Sequence, residues 1–258
     1  MKKSPKVSII VTTYNRRIEL TKTINSILEQ TFENFELIII DNYSNYNFIE
    51  LINSFNDGRI KSFQNKNHGI IAINRNYGIK KAKGEYLAFC DDDDVWFPQK
   101  IEKQIMYLTN HKSDLVYSNI KLIFNDKTST ITNYSKIDTL NKLLLKSQIT
   151  LSSVMVKNHK NILFNEDKAL IAVEDYELWI RLKLLGLNFT FIKEPLVGYS
   201  VVDNSISRQS KMKNEMVNVK FELRLLKNYN LELFSRLIVC YVLLRRSVRY
   251  LIFSILKI

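Results

Sequence analysis

The sequence predicts an α/β fold in which a mostly parallel β-sheet is flanked by helices. In roughly the first hundred residues, β-branched apolar runs of strand length alternate with segments whose apolar residues recur at helical spacing. Several of the runs end in polar clusters, and one of these clusters is four consecutive aspartates, Asp91 to Asp94. Strands that alternate with helices favour parallel pairing through right-handed crossovers, so their carboxyl ends open on one crevice.

The first part of the chain contains the more regular elements. Apolar runs predict strands over Val7–Thr12, Phe35–Ile40, Arg59–Gln64 and Tyr86–Cys90. Helical spacing predicts helices over Ile18–Leu28, Phe48–Phe55, Ile70–Ala82 and Pro98–Leu108, with Pro98 in the first turn of the last one.

From about Asp114 the pattern changes. Strands are predicted over Leu115–Tyr117, Ile120–Phe124 and Ser152–Val156, with an irregular or strand-like segment over Phe189–Asn204. Helices are predicted over Leu140–Leu145, over Glu174–Leu185, and from Lys211 to the C-terminus. We therefore expect one continuous domain with two halves, residues 1–113 and 114–207, followed by a helical basic tail, residues 208–258.

Composition narrows the class of protein. A chain of 258 residues that is 46% apolar can bury a full core and is unlike fibrous or disordered proteins. Cys90 and Cys240 stand far apart, and Cys90 lies in an apolar run, which favours reduced thiols and a cytoplasmic setting. The net charge of +12 suggests nucleic acid, an anionic membrane surface or phosphate-bearing substrates as partners. Because the sequence has no motif typical of nucleic-acid recognition, we expect no nucleic-acid partner.

Polar clusters follow three of the predicted strands, at Thr12–Asn15, Asp41–Ser44 and Asp91–Asp94. Adjacent carboxylates raise one another's pKa and destabilise a fold unless positive charge lies among them, and a hard divalent cation can supply that charge. A solvated acidic loop or a helix N-terminus is the alternative for such a run. Together the clusters indicate one crevice with acceptors for the base and ribose of a sugar nucleotide and with a metal for its phosphates.

Seven segments carry a resemblance to a known family. In chain order they read VSIIVTTYNR, LTKTINSILEQTF, FELIIIDNYS, NRNYGIKKAKGEYLAFCDDDDVWFPQKIEKQI, LSSVMVKN, EDYELWIRL and DNSIS, over roughly Val7 to Ser207. In this order and spacing they make the chain similar to the family 2 inverting glycosyltransferases, which have the GT-A fold. The resemblance implies that residues 1–113 bind a nucleotide-sugar and that residues 114–207 bind the acceptor.

The resemblance assigns a set of residues to the nucleotide-sugar. They are Thr12, Tyr14, Asn15, Asp41, Asn42, Arg75, Asp91 and Asp92. A tyrosine ring can stack on the base. Arg75 and Asn76 match the Arg-Asn dipeptide of the family, and the Arg75 guanidinium can offset the diphosphate charge or contact the base. Asn42 stands where many relatives carry a second aspartate, which leaves specificity for UDP open. On residue type alone, Tyr14 could instead be an exposed strand cap and Arg75 a surface helix residue.

The aspartate run matches the DxD signature of the family. The resemblance makes Asp93 the principal metal ligand and Asp91 a second contact, with a register that is ambiguous by one residue because four acids are adjacent. The ion would be Mg²⁺ or Mn²⁺, held by one or two carboxylates and by the diphosphate of the donor. Asp94 would orient a partner or cap the helix that begins at Pro98.

Glu174 and Asp175, in the segment EDYELWIRL, supply the remaining chemistry. The resemblance makes Asp175 the general base that takes the proton of the acceptor hydroxyl. Glu174 is then its neighbour, which contacts the acceptor or tunes the base. A helix N-terminus, where acids complement the helix dipole, is the alternative for this pair. Trp179 on the same helix is expected in the core rather than as a platform for a sugar.

The chain departs from the family pattern at two points. The QxxRW motif of processive synthases is absent, so we expect addition of a single sugar. Many relatives read Tyr-Arg-x-His near the end of the catalytic region, where this chain has Ser200 and Val202 in place of the arginine and histidine. Any contact that those two residues make with diphosphate or metal is therefore absent, or is supplied by Asp203 or by a basic residue of the tail.

The tail is apolar and basic, but no run reaches the roughly 18 apolar residues of a spanning helix. On a helix, Arg245, Arg246, Arg249 and Lys257 fall within an arc of about 120°. A helix that lies in the headgroup layer of an anionic membrane accounts for both features. The alternative is a helix packed on the domain or on a dimer partner.

The sequence therefore predicts an inverting, metal-dependent glycosyltransferase that adds one sugar, from a UDP-hexose, to a glycan acceptor. Similarity to bacterial surface-polysaccharide transferases implies O-antigen or capsule synthesis on a polyprenyl-diphosphate-linked acceptor, at the inner face of the cell membrane. A nucleotidyltransferase is one alternative, although the first strand is not followed by the glycine-rich loop expected of that class. A non-catalytic membrane adaptor with the same fold is the other.

Overall fold

The computed structural model of the protein describes residues 4–124, 128–201 and 211–256. Its strands are β1 (Val7–Thr13), β2 (Phe35–Asp41), β3 (Ile60–Gln64), β4 (Tyr86–Asp91), β5 (Val95–Trp96), β6 (Leu115–Phe124), β7 (Thr128–Ile131), β8 (Met155–Lys157) and β9 (Phe189–Val201). Its α-helices are α1 (Arg17–Leu28), α2 (Phe48–Ser54), α3 (Ile71–Lys81), α4 (Lys100–Asn110), α5 (Leu140–Leu145), α6 (Glu174–Leu184), α7 (Lys211–Asn228) and α8 (Leu233–Leu256).

One sheet runs through the whole domain. In the order β3-β2-β1-β4 the strands are parallel, and β8 and β6 continue the sheet through antiparallel pairs. Strand β9 is parallel to β6, while β5 and β7 pair antiparallel with β9 and β6. The predicted α/β class with its Rossmann-like parallel half is confirmed, and strands from both sides of residue 113 belong to the same sheet.

The parallel half of the sheet brings the polar clusters together. Thr13 at the end of β1 is paired with Asp41 at the end of β2, and Thr12 is paired with Asp91 at the end of β4. Parallel neighbours have their carboxyl ends at the same edge of the sheet. The side chains that follow β1, β2 and β4 therefore share one crevice, as the sequence predicted.

Both faces of the parallel strands are buried. Ile9 and Leu37 pack against the side formed by α1, α2 and α4, and Ile10 and Ile38 pack against the side formed by α3 and α6. Because neither face meets water, the strands read as continuous apolar runs instead of alternating patterns. Trp179 of α6 is 0% exposed, which confirms its predicted place in the core.

The second half differs most from the prediction. Strand β6 is one strand of ten residues, where two shorter strands were predicted. Ser118 and Asn119 interrupt its apolar pattern, but both are buried. The Asn119 side chain donates a hydrogen bond to the Lys193 carbonyl oxygen and accepts one from the Tyr134 amide, so the strand continues through them. Strands β5 and β7, of two and four residues, are too short for a periodic pattern to reveal them.

Most predicted element ends shift by one to three residues, and two of these shifts lie next to the loop that follows β4. Helix α4 begins at Lys100, and Pro98 lies in the turn before it. Ser152 belongs to a short 3-10 turn, Leu151–Ser153, that precedes β8. The second change bears on the crevice, because the Asp91 amide at the end of β4 donates to Ser152 Oγ at 3.0 Å.

The C-terminal segment folds as two helices that pack on each other and on the domain. The Ser235 hydroxyl of α8 donates to Asn141 Oδ1 of α5 at 2.7 Å. Arg246 of α8 lies 3.5 Å from carboxylate oxygens of both Glu215 and Glu222 on α7. One face of α8 thus packs on the domain, which was the alternative to a membrane-bound tail.

The opposite face of α8 carries large apolar side chains that are exposed. Within the described ranges, no helix is long and apolar enough to cross a membrane. Lys257, which the sequence placed in the basic arc, lies outside the described residues. The same is true of Val202 and of the DNSIS segment with Asp203.

Gly84, between α3 and β4, approaches the backbone of β1. A Cβ atom at this position would lie 2.5 Å from the Ser8 amide nitrogen and 2.7 Å from the Val7 carbonyl carbon. Since that backbone cannot move without disturbing the sheet, we expect Gly84→Ala to lower the free energy of unfolding by about 1–3 kcal/mol in urea denaturation. Gly58→Ala is the control, because its Cβ would meet no atom within 4 Å. Equal losses in the two variants would contradict the expectation.

Candidate active site

The four aspartates at the end of β4 differ in exposure. Asp92 and Asp94 are 7% and 0% exposed, whereas the side chains of Asp91 and Asp93 are 33% and 15% exposed. The two carboxylates that reach solvent are therefore separated by one residue. This is the spacing of the predicted metal ligands Asp91 and Asp93, whose role stays a prediction.

Asp94 fixes the loop that follows β4 to two distant segments of the chain. Its carboxylate accepts hydrogen bonds from the Ser152 hydroxyl at 2.5 Å and from the Ser200 amide at 3.3 Å. The Ser152 oxygen in turn accepts the Asp91 amide at 3.0 Å. Burial and the nearby charge of Asp91 raise the pKa of Asp94 well above its ordinary value. Asp94 therefore orients Ser152, and the predicted capping role is wrong because α4 begins at Lys100 without a side-chain cap.

Arg16, directly before α1, supplies positive charge to the aspartates. Its guanidinium lies 3.1 Å from Asp92 Oδ1 and 2.5 Å from Asp93 Oδ2. The Thr13 hydroxyl donates to the other oxygen of Asp92 at 2.7 Å. Burial raises the pKa of Asp92 to about 6 against the opposing effect of Arg16. Burial and the charge of Asp91 also raise the pKa of Asp93.

Arg75 of α3 connects the aspartates to α6. Its guanidinium donates to Asp91 Oδ1 at 3.0 Å and to Glu174 Oε1 at 2.7 Å, and it lies over the Phe164 ring at 5.2 Å. The Arg75 side chain is only 7% exposed, so the alternative of a surface helix residue is wrong. We call the contacts Asp91–Arg75–Glu174 the arginine bridge.

Asp175 stands beside the arginine bridge in the first turn of α6. Burial and the charge of Glu174 raise the pKa of Asp175 to about 7, and the charge of Arg75 opposes this increase. The Tyr176 amide donates to Asp175 Oδ1 at 2.7 Å. A carboxylate with a pKa near neutrality can both hold and release a proton under physiological conditions.

The crevice can accommodate a divalent cation at Asp91 and Asp93. Each carboxylate accepts a hydrogen bond from an arginine through one oxygen, and each side chain is partly exposed. Magnesium is commonly held by one or two carboxylates together with substrate phosphates. A site made by the protein alone is not present, since no three acidic, histidine or cysteine side chains in the described residues are placed to hold a metal.

Asp41 and Asn42 lie at the end of β2, under the same edge. Asp41 is fully buried, and its carboxylate accepts the Ser44 amide at 3.0 Å and the Gln64 amide group at 2.9 Å. Asn42 Oδ1 accepts the Asn67 amide at 2.9 Å. Asp41 therefore shapes the crevice through Ser44 and Gln64, while its own carboxylate is turned away from solvent.

Residues after β1 form the outer part of the crevice. Thr12 is 8% exposed, whereas Tyr14 is 54% exposed and so has its ring available for stacking on a base. Asn15 has a φ of 57°, a left-handed conformation that asparagine tolerates. The Asn15 amide donates to Ser44 Oγ at 2.8 Å, and Asn15 Oδ1 accepts the Asn45 amide at 2.7 Å. Asn15 thus fastens the β1 loop to the β2 loop.

The sequence did not identify the residues that hold the acids in position. These are Thr13, Arg16, Gln64 and Ser152. Arg16 gave a usable signal, because it follows Tyr14 closely inside the segment VSIIVTTYNR. Ser152 gave none. Asn76, which follows Arg75 in the family's Arg-Asn pair, donates to the Phe164 carbonyl oxygen at 2.8 Å.

Comparison with known proteins assigns the family. Residues 8–168 match Glycosyl transferase family 2. Over 186 residues the chain is 35% identical to Escherichia coli WfaP, a UDP-Glc:alpha-D-GlcNAc-diphosphoundecaprenol beta-1,3-glucosyltransferase. This alignment covers 70% of this chain and 71% of WfaP. Over 221 residues it is 32% identical to an uncharacterized glycosyltransferase of Methanocaldococcus jannaschii, covering 81% of this chain and 76% of that protein.

The fold comparison agrees. S. aureus TarS 1-349 in complex with UDP-GlcNAc superposes with a TM-score of 0.74 at 19% identity, covering 95% of this chain and 73% of that chain. The molecule is thus a glycosyltransferase with the GT-A fold. The chain belongs to glycosyl transferase family 2, and this assignment removes the nucleotidyltransferase alternative.

The contacts of Arg16 predict an energetic coupling with the aspartates. Arg16→Gln would leave Asp92 and Asp93 without their cation, and we expect a loss of about 1 kcal/mol in the free energy of unfolding because the pair is partly exposed. A double-mutant cycle with Asp93→Asn, in urea with EDTA present, measures the coupling. Arg17→Gln is the control, since Arg17 is the exposed neighbour and makes no ion pair within the described ranges. A coupling energy of zero between Arg16 and Asp93 would refute the pairing.

Proposed function

We propose that this glycosyltransferase transfers a single sugar from a UDP-hexose to a lipid-linked glycan acceptor, with inversion at the anomeric carbon. The arginine bridge is the observation that carries the proposal. It joins the carboxylates on the donor side, at the end of β4, to the first turn of α6, where Asp175 lies. A base and a donor site held by one buried side chain are arranged for direct transfer.

Asp175 is the proposed general base. In an inverting transfer the acceptor hydroxyl attacks the anomeric carbon from the face opposite the nucleotide. The bond from that carbon to the diphosphate oxygen breaks as the new bond to the acceptor oxygen forms, and the hydroxyl proton passes to the Asp175 carboxylate. Burial and the charge of Glu174 raise the pKa of Asp175 to about 7, which makes it a stronger base than an ordinary aspartate. Glu174 acts on this step by tuning Asp175.

The nucleotide-sugar is proposed to lie along the ends of β1, β2 and β4. The exposed ring of Tyr14 would stack on the base, and Thr12, Asn15, Asp41 and Asn42 would shape the base and ribose site. Names of two relatives, WfgD and WfaP, give UDP-Glc as their donor, and the TarS complex holds UDP-GlcNAc. These similarities support UDP as the nucleotide.

Asp93 and Asp91 are the proposed ligands for Mn²⁺ or Mg²⁺, and Asp92 the proposed ribose contact. A bound cation would neutralise charge on the leaving nucleoside diphosphate. Arg16 and Arg75 already compensate part of the carboxylate charge at this edge. The solvent-facing oxygens of Asp91 and Asp93 are thus the positions open to an ion.

The acceptor is proposed to be a glycan on a polyprenyl diphosphate. WfgD and WfaP are named for an acceptor of this type, a GlcNAc-diphosphoundecaprenol. We infer a role in cell-surface polysaccharide biosynthesis, such as O-antigen or capsule, at the cytoplasmic face of the cell membrane. Addition of one sugar, rather than polymerisation, is consistent with the missing QxxRW motif.

Replacement of Asp175 tests the proposed base. We expect Asp175→Asn to reduce kcat by about 10²–10⁴-fold while the thermal transition is retained, because the amide cannot accept the proton. In the wild-type protein, kcat/KM should rise as the pH increases through about 7, since only the deprotonated carboxylate acts as a base. Asp138→Asn, at an exposed aspartate, is the control. Near-wild-type turnover in Asp175→Asn would refute the role. Absence of transfer by the wild-type protein would favour the adaptor alternative.

A panel of nucleotide-sugars tests the donor and the cation. With purified protein and a GlcNAc-diphosphate-lipid acceptor, we expect transfer from a UDP-hexose, loss of transfer in EDTA, and recovery on addition of Mn²⁺ or Mg²⁺. Asp93→Ala should abolish that recovery, because it removes the principal proposed ligand. Transfer that persists unchanged in EDTA would refute the metal dependence. Transfer only from GDP- or dTDP-sugars would refute the choice of UDP.

A further inference from the structure

The exposed face of α8 carries an apolar stripe with regular spacing. We call it the outer stripe; it consists of Phe234, Leu237, Tyr241, Leu244, Val248, Leu251 and Ile255. These side chains are between 48% and 78% exposed. Their spacing alternates between three and four residues, so they fall within an arc of about 100° on the helix. The stripe lies opposite the face of Ser235, Val239 and Val242, which is buried against the domain.

Positive charge borders the outer stripe. Arg236 lies on one side of it and Arg245 and Arg249 on the other, by the helical repeat. Arg236 and Arg245 are exposed. Arg249 is also exposed and lies 3.7 Å from Glu215 of α7, and Arg246 turns inward to Glu215 and Glu222. The helix Leu233–Leu256 contains no aspartate or glutamate. The exposed face of α8 is therefore apolar in the centre and cationic at both margins.

We propose that the outer stripe and its arginines dock the protein on an anionic lipid surface, with α8 lying along the headgroup layer. Apolar side chains at the centre of the face would enter the acyl boundary, and arginines at the margins would meet lipid phosphates. The buried face of α8 fixes the helix to the domain, so docking orients the whole enzyme. Docking of this kind rests on the proposed function and extends it, because a lipid-linked acceptor lies in such a membrane.

A second copy of the chain is a poorer occupant of the same face. Coiled-coil partners with a three-four apolar repeat place charges of opposite sign at the margins of the seam. Here both margins carry arginine, and α8 has no aspartate or glutamate that could form ion pairs with the arginines of a second α8. Self-pairing would bring like charges together, whereas anionic headgroups neutralise them.

Vesicle flotation with the full-length protein tests this surface. The probes are vesicles of phosphatidylcholine alone and of phosphatidylcholine mixed with phosphatidylglycerol, without nucleotide-sugar. We expect binding to the mixed vesicles that weakens at high salt. The triple variant Leu237→Gln, Leu244→Gln, Leu251→Gln should lose about tenfold or more of its partition. Arg236→Gln with Arg245→Gln should lose about fivefold for each arginine.

Matched controls keep the result interpretable. Ile18→Gln with Lys22→Gln changes an exposed apolar and basic pair on α1 and should leave partition unchanged. Circular dichroism checks that each variant is folded. Equal binding to neutral and mixed vesicles, or no binding by the wild type, would overturn the proposal. So would a dimer, measured by light scattering, that the triple variant dissociates. None of these results depends on sugar transfer, so failure here is distinct from failure of the proposed function.

Discussion

Crowding of carboxylates at one edge of the sheet is the constraint on which the rest of the site depends. The parallel register brings the acids after β2 and β4 to that edge, and Arg75 draws the first turn of α6 to the same place. Without positive charge nearby, the ionised carboxylates of such a cluster would repel one another and destabilise the fold. Two arginines from different helical regions provide it, Arg16 at the outer side and Arg75 within the protein. The buried acids that no arginine reaches, Asp41 and Asp94, are satisfied by hydrogen bonds.

The compensation is incomplete at Asp175, and this matters for chemistry. Its pKa of about 7 means that holding the ionised carboxylate in this place costs free energy relative to water. Burial and Glu174 create that cost, and Arg75 limits it. A residue kept at such a cost contributes basicity rather than stability. The same guanidinium therefore stabilises the acid cluster and limits the rise in the pKa of Asp175.

The sequence predicted the fold where its pattern was regular and the site where polar residues followed strands. Strands β1 to β4 were identified because both faces are buried, which gives unbroken apolar runs. The polar clusters that follow these strands were placed at one edge for the same reason, and the strand register agrees. Strand β6 was divided in two because Ser118 and Asn119 are polar, and only tertiary hydrogen bonds show why they continue the strand. Ser152 and Ser200 contact Asp94 from distant parts of the chain, so no local sequence pattern could predict these two contacts.

The arginine bridge also limits how the enzyme can vary. A guanidinium is rigid and planar, and Arg75 reaches Asp91 and Glu174 at the same time. The spacing between the acids after β4 and the first turn of α6 is therefore fixed by one side chain. Widening that spacing would break one of the two ion pairs of Arg75. Changes in the loops at the outer margin of the crevice, by contrast, would leave Arg75 and its two carboxylates in place.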